Sequence, residues 1–281
     1  MLDRRLNAFR PDLADRRLEG QVAAARFTEG RPACIVLPVA PLRPRPEPGA
    51  GIDTELLLGE TVRLLDAADG WAWVVADGDG YVGYLPAKAV AEKAGTTTHI
   101  VTAPRTYRYA GPDLKRGHLH ALSMGSRLSV TGEAETRGTA YLLLADGSAV
   151  VAGHCRRLDD APAPDYVAVA ARLLETPYLW GGRSAFGIDC SGLVQLSMLM
   201  AGRAAPRDSD MQASGLGTPV ARDDLRRGDL VFWKGHVGIM EDEETLLHAN
   251  GATMTVARER LDAAIARIAA LYGDPTGCRR P

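Results

Sequence analysis

The sequence predicts a multidomain chain in which two small all-β barrels are followed by an α+β domain. Three features of the 281 residues lead to this fold class. An approximate repeat of β-type segments fills residues 31–158, a short proline run follows it, and beyond that run apolar residues at helical spacing precede several strands. We expect an N-terminal helical segment over 1–30, barrels over 31–95 and 96–160, and the α+β domain over 161–281.

The repeat is visible in the turn residues. In each half an apolar run leads to a glycine and then to alternating strands broken by Asp-Gly and Gly turns, which is typical of β-hairpins. Ala40-Pro41, Gly59 and Asp77-Gly78 correspond to Ala103-Pro104, Gly125 and Asp146-Gly147, at offsets of 63, 66 and 69 residues. The proline-rich stretch from Pro38 to Gly51 lies within the first half and is predicted to be a long loop.

The pattern changes after Asp165. The segments "DYVAVAARLLET" and "SGLVQLSMLMAG" have helical spacing, and Gly202 and Pro206 end the second of them. Strands "DLVFW", "HVGIM" and "TLLHAN" follow, and then an amphipathic helix, "RERLDAAIARIAALYG". Helices that precede antiparallel strands predict an α+β arrangement.

Composition and charge exclude some classes of function. The formal net charge is −2 and the sequence pI is about 6.3, so we expect neither nucleic acid nor an anionic membrane as a partner. The N-terminal residues carry charges throughout and no run could span a bilayer, which predicts a cytoplasmic protein. Four cysteines lie far apart, at Cys34, Cys155, Cys190 and Cys278, which argues against a disulfide framework and suits a reducing compartment.

Cys190 stands where a loop gives way to a helix. Asp189 and Ser191 flank it, and Asp or Ser is a usual N-terminal cap. The N–H groups and the positive end of the helix dipole stabilise a thiolate there, so we expect a lowered pKa for Cys190. The same N–H groups can receive the oxyanion of a tetrahedral intermediate.

Two histidines are placed to complete a catalytic site. His236 opens the strand "HVGIM" and His248 lies in "TLLHAN", with "EDEE" as the turn between them. A hairpin symmetrical about Asp242 would set the two histidines directly opposite each other on one face. One of them can then act as the general base while the other orients its ring. Other interpretations stay open here, because Cys-His-His is also a zinc-ligand set and a lone cysteine before a helix is often inert.

At these residues the sequence strongly resembles the NlpC/P60 family of cysteine peptidases. The stretch "TPYLWGGRSAFGIDCSGLVQ" matches the family's nucleophile motif, "RGDLVFWKGHVGIM" its base motif and "LLHAN" its third-residue motif. The resemblance implies a papain-like α+β domain in which Cys190 is the nucleophile, His236 the base and His248 the orienting residue. It implies no cofactor and no metal.

The preceding barrels look like bacterial SH3 (SH3b) domains, as in the subgroup of this family that cleaves γ-D-glutamyl-diamino acid bonds. In that subgroup the first SH3b domain closes one side of the substrate cleft, which restricts the enzyme to short murein stem peptides with a free N-terminal L-Ala. The resemblance implies that an SH3b carboxylate, an SH3b tyrosine and the aspartate before the nucleophile hold the free amine. By motif, the residues that contact substrate would be Asp53 (or the nearby Glu55), Tyr81, Asp189, Tyr178, Ser191 and Ser209.

Structural roles compete with several of these assignments. The structural role of Asp53 would be to cap a turn, that of Tyr81 to fill a barrel core, and that of Ser209 to cap a helix together with Asp208. Two other functions also remain alternatives: a non-catalytic binding protein for murein fragments, and an amidase or acyltransferase that acts on another amide. The sequence carries no signal for an oligomeric state.

Overall fold

The computed structural model describes residues 2–92 and 95–281. Met1, in the predicted N-terminal segment, and residues 93 and 94, in the predicted first barrel, lie outside the described residues. The chain divides into two compact units, Met1–Asp160 and Ala161–Pro281. The division falls in the proline run between Asp159 and Tyr166.

Residues 2–30 contain no α-helix, so the predicted N-terminal helical segment is wrong. Strand β1 (Ala14–Asp15) pairs in parallel with β2 (Phe27–Thr28), and a 3-10 turn over Arg16–Leu18 follows β1. The alternating charges of this segment form ion pairs two residues apart, namely Arg5–Asp3, Arg10–Asp12 and Arg17–Asp15. Residues spaced by two do not face each other on a helix, so these pairs favour extended chain and turns.

The first β module is built from seven strands. They are β3 (Arg31–Ile35), β4 (Val39–Leu42), β5 (Thr54–Leu57), β6 (Thr61–Ala68), β7 (Trp71–Ala76), β8 (Val82–Pro86) and β9 (Val90–Glu92). An antiparallel sheet has the order β8-β7-β6-β3-β9, while β4 pairs with β5. Between them lies an apolar core that includes Ile35, Leu42 and Val74.

The second β module contains similar strand pairs but divides them differently between its two sheets. Its strands are β10 (His99–Val101), β11 (Arg105–Tyr109), β12 (His118–Ser123), β13 (Arg127–Leu128), β14 (Val130–Thr136), β15 (Thr139–Leu144), β16 (Ala149–Val151) and β17 (Cys155–Arg157). They form two antiparallel sheets, β12-β11-β16-β15-β14 and β13-β10-β17. In both modules a 3-10 turn precedes the last strand, over Ala87–Ala89 in the first and Ala152–His154 in the second.

Near Gly59 and Gly125, backbone hydrogen bonds of the two modules correspond at an offset of 66 residues. The N–H of Gly59 donates to the carbonyl of Ile35 at 2.9 Å, and the N–H of Gly125 donates to the carbonyl of Val101 at 2.9 Å. The bonds from Leu58 to Pro38 and from Met124 to Pro104 form a second such pair. Both glycines have left-handed backbone, with φ of +78° and +91°. Of the three correspondences seen in the sequence, the one between Gly59 and Gly125 thus recurs in the backbone hydrogen bonds.

The two β modules meet at Gly59. The N–H of Arg127, in the second module, donates to the carbonyl of Leu58 at 2.7 Å. A Cβ atom on Gly59 would lie 2.3 Å from the carbonyl oxygen of Arg127. Close approach of the two backbones, together with positive φ, requires glycine at this position.

The second unit has helices first and an antiparallel sheet after them, as expected. Its helices are α1 (Tyr166–Ala171), α2 (Cys190–Met200), α3 (Ser209–Gly215) and α4 (Leu261–Tyr272). Its strands are β18 (Arg183–Ser184), β19 (Gly187–Ile188), β20 (Thr218–Val220), β21 (Leu230–Trp233), β22 (His236–Met240), β23 (Thr245–Asn250), β24 (Thr255–Arg260) and β25 (Gly277–Arg280). Six of them form a sheet in the order β20-β25-β21-β22-β23-β24, and β18 pairs with β19.

Helix α2 is apolar on every side because it is enclosed. All of its residues except Leu199 are buried, and it packs against β22 and β23. Helix α4 covers the sheet through Ala264 and Ile268, which join a core containing Trp233, Met240 and Leu246. In the described part of the chain, no helix combines the length and the apolar character needed to cross a bilayer.

Candidate active site

Cys190 is the first residue of α2. Asp189 caps the helix, because its Oδ1 accepts the N–H of Gly192 at 2.7 Å. A carboxylate at this position satisfies a helix N–H group that would otherwise be unpaired and interacts favourably with the helix dipole. The helix thus begins at the cysteine, as the sequence predicts.

Burial controls the protonation state of Cys190. The thiol is 5% exposed, and burial, helped by the charge of Asp189, raises its pKa to about 12. The N–H groups of Val237 and Ser191 act in the opposite direction but are outweighed. The expected net lowering of this pKa is therefore wrong for the free protein. Since Val237 directly follows His236, the contact also brings the sulfur to the first residues of β22.

His236 and His248 are hydrogen-bonded, with Nε2 of His236 2.9 Å from Nδ1 of His248. The predicted register of their hairpin is wrong: Ile239 pairs with Leu247, which centres the turn on Glu243 instead of Asp242. Continuing this register, His248 comes opposite Gly238. The two histidines still share a face because the shift preserves the alternation of the strands.

The turn chemistry explains the register. Oδ1 of Asp242 accepts the N–H groups of Glu244 and Thr245, at 2.9 and 2.7 Å, and the N–H of Glu241 donates to the carbonyl of Thr245. The turn therefore closes between Glu241 and Thr245. An aspartate that binds N–H groups two and three residues ahead is a common turn-forming device.

Both imidazoles are held neutral. Burial, then the neighbouring His248 and Arg267, lowers the pKa of His236 to about 3. Burial lowers the pKa of His248 to about 4, opposed by the carboxylate of Glu259. At physiological pH the thiol of Cys190 and both imidazoles are therefore neutral. A neutral thiol and a neutral imidazole are the forms that proton transfer from sulfur to nitrogen requires during nucleophilic attack.

Tyr178 is set beside the nucleophile by the backbone. It bridges to Ile188, two residues before Cys190, and its N–H donates to the carbonyl of Met254 at 2.8 Å. Burial, with the nearby Cys190 and Asp189, raises the pKa of its phenol well above the usual range. The hydroxyl is therefore protonated and able to donate a hydrogen bond.

Asp189 is also half of a buried ion pair that sequence reasoning missed. Arg207 is 1% exposed and donates to both carboxylate oxygens, at 3.0 Å to Oδ1 and 2.6 Å to Oδ2. The N–H groups of Gly181 and Gly192 and the hydroxyl of Ser191 bring the donors around this carboxylate to five. Asp189 thus acts as a cap and as the counter-ion of Arg207.

The two serines have different surroundings. Ser191 is buried, its hydroxyl accepts from Arg207 at 2.9 Å, and its carbonyl accepts from the side chain of Gln212 at 3.0 Å. Ser209 is the half-buried first residue of α3. Asp208 is the N-cap residue of α3 but makes no side-chain capping bond to it, so the structure does not reproduce the suggested cap.

The remaining predicted contact residues lie in the first unit. Asp53 is half-buried just before β5 and lines a cavity with Arg10, Trp73 and Tyr84. Tyr81 is 3% exposed and belongs to the core cluster of the first β module, as the structural alternative had it. Glu55 is buried within β5.

Arg207 and Glu259, which the sequence analysis did not single out, differ in how visible they are in the sequence. Arg207 stands two residues before Ser209 in "PRDSDMQ". Its neighbours are polar, so the sequence gives no sign that this arginine is buried. Glu259 could have been found, because β24 pairs Ala257 with His248 and Glu259 is two residues further on the same face. Its Oε2 lies 3.3 Å from Nε2 of His248.

Comparison with known proteins identifies the family of the chain. A model of the NlpC/P60 family matches residues 175–268, and one described as a bacterial dipeptidyl-peptidase Sh3 domain matches residues 42–90. A gamma-D-glutamyl-L-lysine dipeptidyl-peptidase of Bacillus subtilis is 30% identical over 225 residues, covering 70% of this chain and 72% of its own. The Bacillus cereus protein of the same name is 29% identical over 237 residues, covering 73% and 69%.

Solved structures agree on the fold. An NlpC/P60 family protein from Bacillus cereus superposes with a TM-score of 0.75 at 23% identity, over 89% of this chain and 99% of that one. An NlpC/P60 endopeptidase from Photobacterium damselae gives a TM-score of 0.59 at 17% identity, over 88% and 70%. The chain belongs to the NlpC/P60 family of peptidases and carries a bacterial SH3 domain before the peptidase domain.

Proposed function

We propose that the protein is a cysteine peptidase that hydrolyses the γ-D-Glu–diamino acid bond of short murein stem peptides and releases L-Ala-γ-D-Glu. We further propose that it does so in the cytoplasm, in recycling of cell-wall peptides. The observation that carries the proposal is the hydrogen-bonded pair of His236 and His248, in two strands that pack against the helix beginning at Cys190. The names of the relatives from Bacillus subtilis and Bacillus cereus supply the substrate class.

The chemistry follows from the neutral resting state. As Sγ of Cys190 attacks the carbonyl carbon, its proton passes to His236, and the N–H of Cys190 and the hydroxyl of Tyr178 receive the oxyanion. His236 then protonates the amine of the diamino acid as the C–N bond breaks, which leaves a thioester on Cys190. His236 next takes a proton from water, and the resulting hydroxide attacks the thioester. As the C–S bond breaks, His236 returns the proton to Sγ of Cys190, and the released acid is L-Ala-γ-D-Glu.

Recognition of the free amine by Asp53, Tyr81 and Asp189 stays a prediction. An ammonium group that leaves water needs a carboxylate and hydrogen-bond acceptors. Asp189 already accepts five hydrogen bonds and pairs with Arg207, so a contact with the amine would have to share this carboxylate with them.

We also propose that the second β module is a second SH3-like domain. Support comes from strand pairs that recur in the two modules: β3-β9 corresponds to β10-β17, β4-β5 to β11-β12 and β7-β8 to β15-β16. Further support comes from the 3-10 turn before the last strand of each module and from the backbone bonds at Gly59 and Gly125, which differ by 66 residues. Only the first module is matched by a domain model, over residues 42–90.

The test uses the defined tripeptide L-Ala-γ-D-Glu-L-Lys and its meso-diaminopimelate counterpart, with products identified by mass spectrometry. We expect the wild-type protein to release L-Ala-γ-D-Glu and Cys190→Ala to lose all turnover, because no other group can form the thioester. Cys278→Ala is the matched control, since that thiol is also buried but lies in β25 away from the histidines.

Acetylation of the substrate amine should abolish turnover as well. Release of the dipeptide by Cys190→Ala would refute the mechanism. Equal turnover of the acetylated peptide would refute the free-amine requirement and leave the mechanism intact.

A further inference from the structure

One nitrogen of the histidine pair has a partner outside the proposed triad. His248 is fully buried, and its Nδ1 is occupied by His236. Its Nε2 makes no hydrogen bond of good geometry within the described residues. The carboxylate oxygen Oε2 of Glu259 lies 3.3 Å from this nitrogen, close enough for a strong charge interaction and for a hydrogen bond after a small rotation.

Glu259 is held in place by a second charged residue. Arg267, on α4, donates to both oxygens of the carboxylate, from Nε at 3.0 Å and from Nη2 at 2.6 Å. Two-point binding of this kind fixes the plane of a carboxylate. The hydrogen bond from Arg267 also lowers the pKa of Glu259, so the carboxylate is ionised and can only accept a proton or a hydrogen bond.

The chain of contacts restricts the tautomers of both histidines. An ionised Glu259 favours a proton on Nε2 of His248, which leaves Nδ1 of His248 as an acceptor. Nε2 of His236 must then carry a proton to donate across the 2.9 Å contact. The free electron pair of His236 is consequently on Nδ1, the only ring nitrogen left to act as a base.

We propose that Glu259, anchored by Arg267, is a positioning residue that sets the tautomers of His248 and His236 and stabilises the cation formed when His236 takes the thiol proton. This inference rests on the proposed function only in its assignment of His236 as the base. It adds two residues to the site that the triad does not include.

Matched variants can test this role. Glu259→Gln keeps the shape but removes the charge. We expect kcat on L-Ala-γ-D-Glu-L-Lys to fall about ten- to a hundredfold, the size of one interaction between a charged group and a cation that forms beside it. KM should stay within about twofold because Glu259 does not touch substrate. Glu259→Asp should recover part of the loss. Arg267→Met, which leaves the carboxylate unanchored, should give a smaller fall in kcat.

The chain offers a control of the same kind. Glu241 lies at the end of β22 and is bound at both oxygens by Arg258, which neighbours Glu259 in β24. It makes no contact with either histidine among its described contacts, so Glu241→Gln should leave kcat unchanged. Thermal unfolding midpoints of all variants separate a catalytic loss from a loss of folded protein.

A second readout needs no peptide. Alkylation of Cys190 by iodoacetamide, followed site by site with mass spectrometry, requires the histidine pair to accept the thiol proton, and Glu259→Gln should slow it in the same proportion. If the wild type cleaves no stem peptide but Glu259→Gln still slows alkylation, the proposed substrate is wrong and the positioning role stands. The positioning role would be overturned if Glu259→Gln changed neither the alkylation rate nor kcat, or if both fell only in proportion to the fraction of unfolded protein. If Glu259→Gln does not fold, the same two measurements on Arg267→Met test the role instead.

Discussion

At the residue scale, the position of Cys190 sets two physical effects against each other. A helix N-terminus stabilises a thiolate, but a thiol with 5% exposure also loses most of the water that would solvate the anion. The neighbouring charge of Asp189 adds to the cost of ionisation, and the pKa rises to about 12. The nucleophile therefore depends on its base at the moment of attack rather than on a preformed ion pair.

The pH dependence of catalysis follows from the histidines. Because burial lowers the pKa of His236 to about 3, the base stays unprotonated far below the ordinary histidine value of 6.5. We expect kcat/KM for the tripeptide to stay nearly constant from about pH 8 to pH 5 and to fall only at lower pH. A steady-state pH profile with an acidic limb near 6.5 would contradict this expectation.

Folding must be followed over the same range. Between pH 6.5 and the lowered values of about 3 and 4, the unfolded chain binds protons at His236 and His248 that the folded chain does not. The free energy of unfolding therefore decreases as the pH falls through this window. Circular dichroism at each pH distinguishes this loss of fold from titration of the base.

At the element scale, the hairpin of β22 and β23 shows what the sequence could and could not predict. Alternation of apolar residues was enough to place both histidines on one face. Side chains alternate between the two faces of a sheet, so the face is the same for any register that differs by an even number of residues. The register depends on which residue lies at the centre of the turn. Because Asp242 binds the N–H groups of Glu244 and Thr245, the centre is at Glu243, one residue beyond the predicted centre at Asp242. A single side chain in the turn thus decided what the strand pattern left open.

Gly238 gives a test of this hairpin. A Cβ at this position would lie 2.6 Å from Cδ1 of Leu246, a buried residue of the core beneath α4. We expect Gly238→Ala to lower the free energy of unfolding by about 1–3 kcal/mol, the usual cost of overpacking, and to lower kcat by disturbing the facing histidines. Urea unfolding and steady-state kinetics measure the two effects.

Gly277→Ala is the control, because Gly277 belongs to β25 of the same sheet and its added Cβ would meet open space. Equal losses in the two variants would show that loss of glycine from the sheet matters, rather than the contact with Leu246.

At the scale of the whole molecule, the features that the sequence predicts well are those set by residues close together in the sequence. The order of helices and strands in the second unit came from local periodicity, and the tandem repeat came from turn glycines such as Gly59 and Gly125. The N-terminal segment was predicted wrongly because its ion pairs two residues apart favour extended chain. Arg207 escaped notice since its buried ion pair is with Asp189, a residue distant in the sequence, and no local pattern records such a pair.

The junction between the β modules can be tested through Gly59. Alanine there would strain the left-handed backbone and place Cβ 2.3 Å from the carbonyl oxygen of Arg127. Gly138 also has positive φ, at +74°, but its Cβ would meet no atom within 4 Å. We expect both variants to lose about 1–2 kcal/mol from the backbone strain, and Gly59→Ala to lose more from the clash. Urea unfolding that shows equal losses would mean that the junction does not contribute to stability.

The constant spacing of backbone bonds in the two β modules also creates a hazard during folding. Neighbouring segments with similar strand pairs can exchange equivalent strands and become trapped as misassembled forms. The backbone bonds that recur at Gly59 and Gly125 cannot distinguish the two modules. The side chains can, because β7 ("WAWVVA") carries two tryptophans and β15 ("TAYLLL") carries none. We expect this difference in side chains to disfavour exchange of strands between the modules.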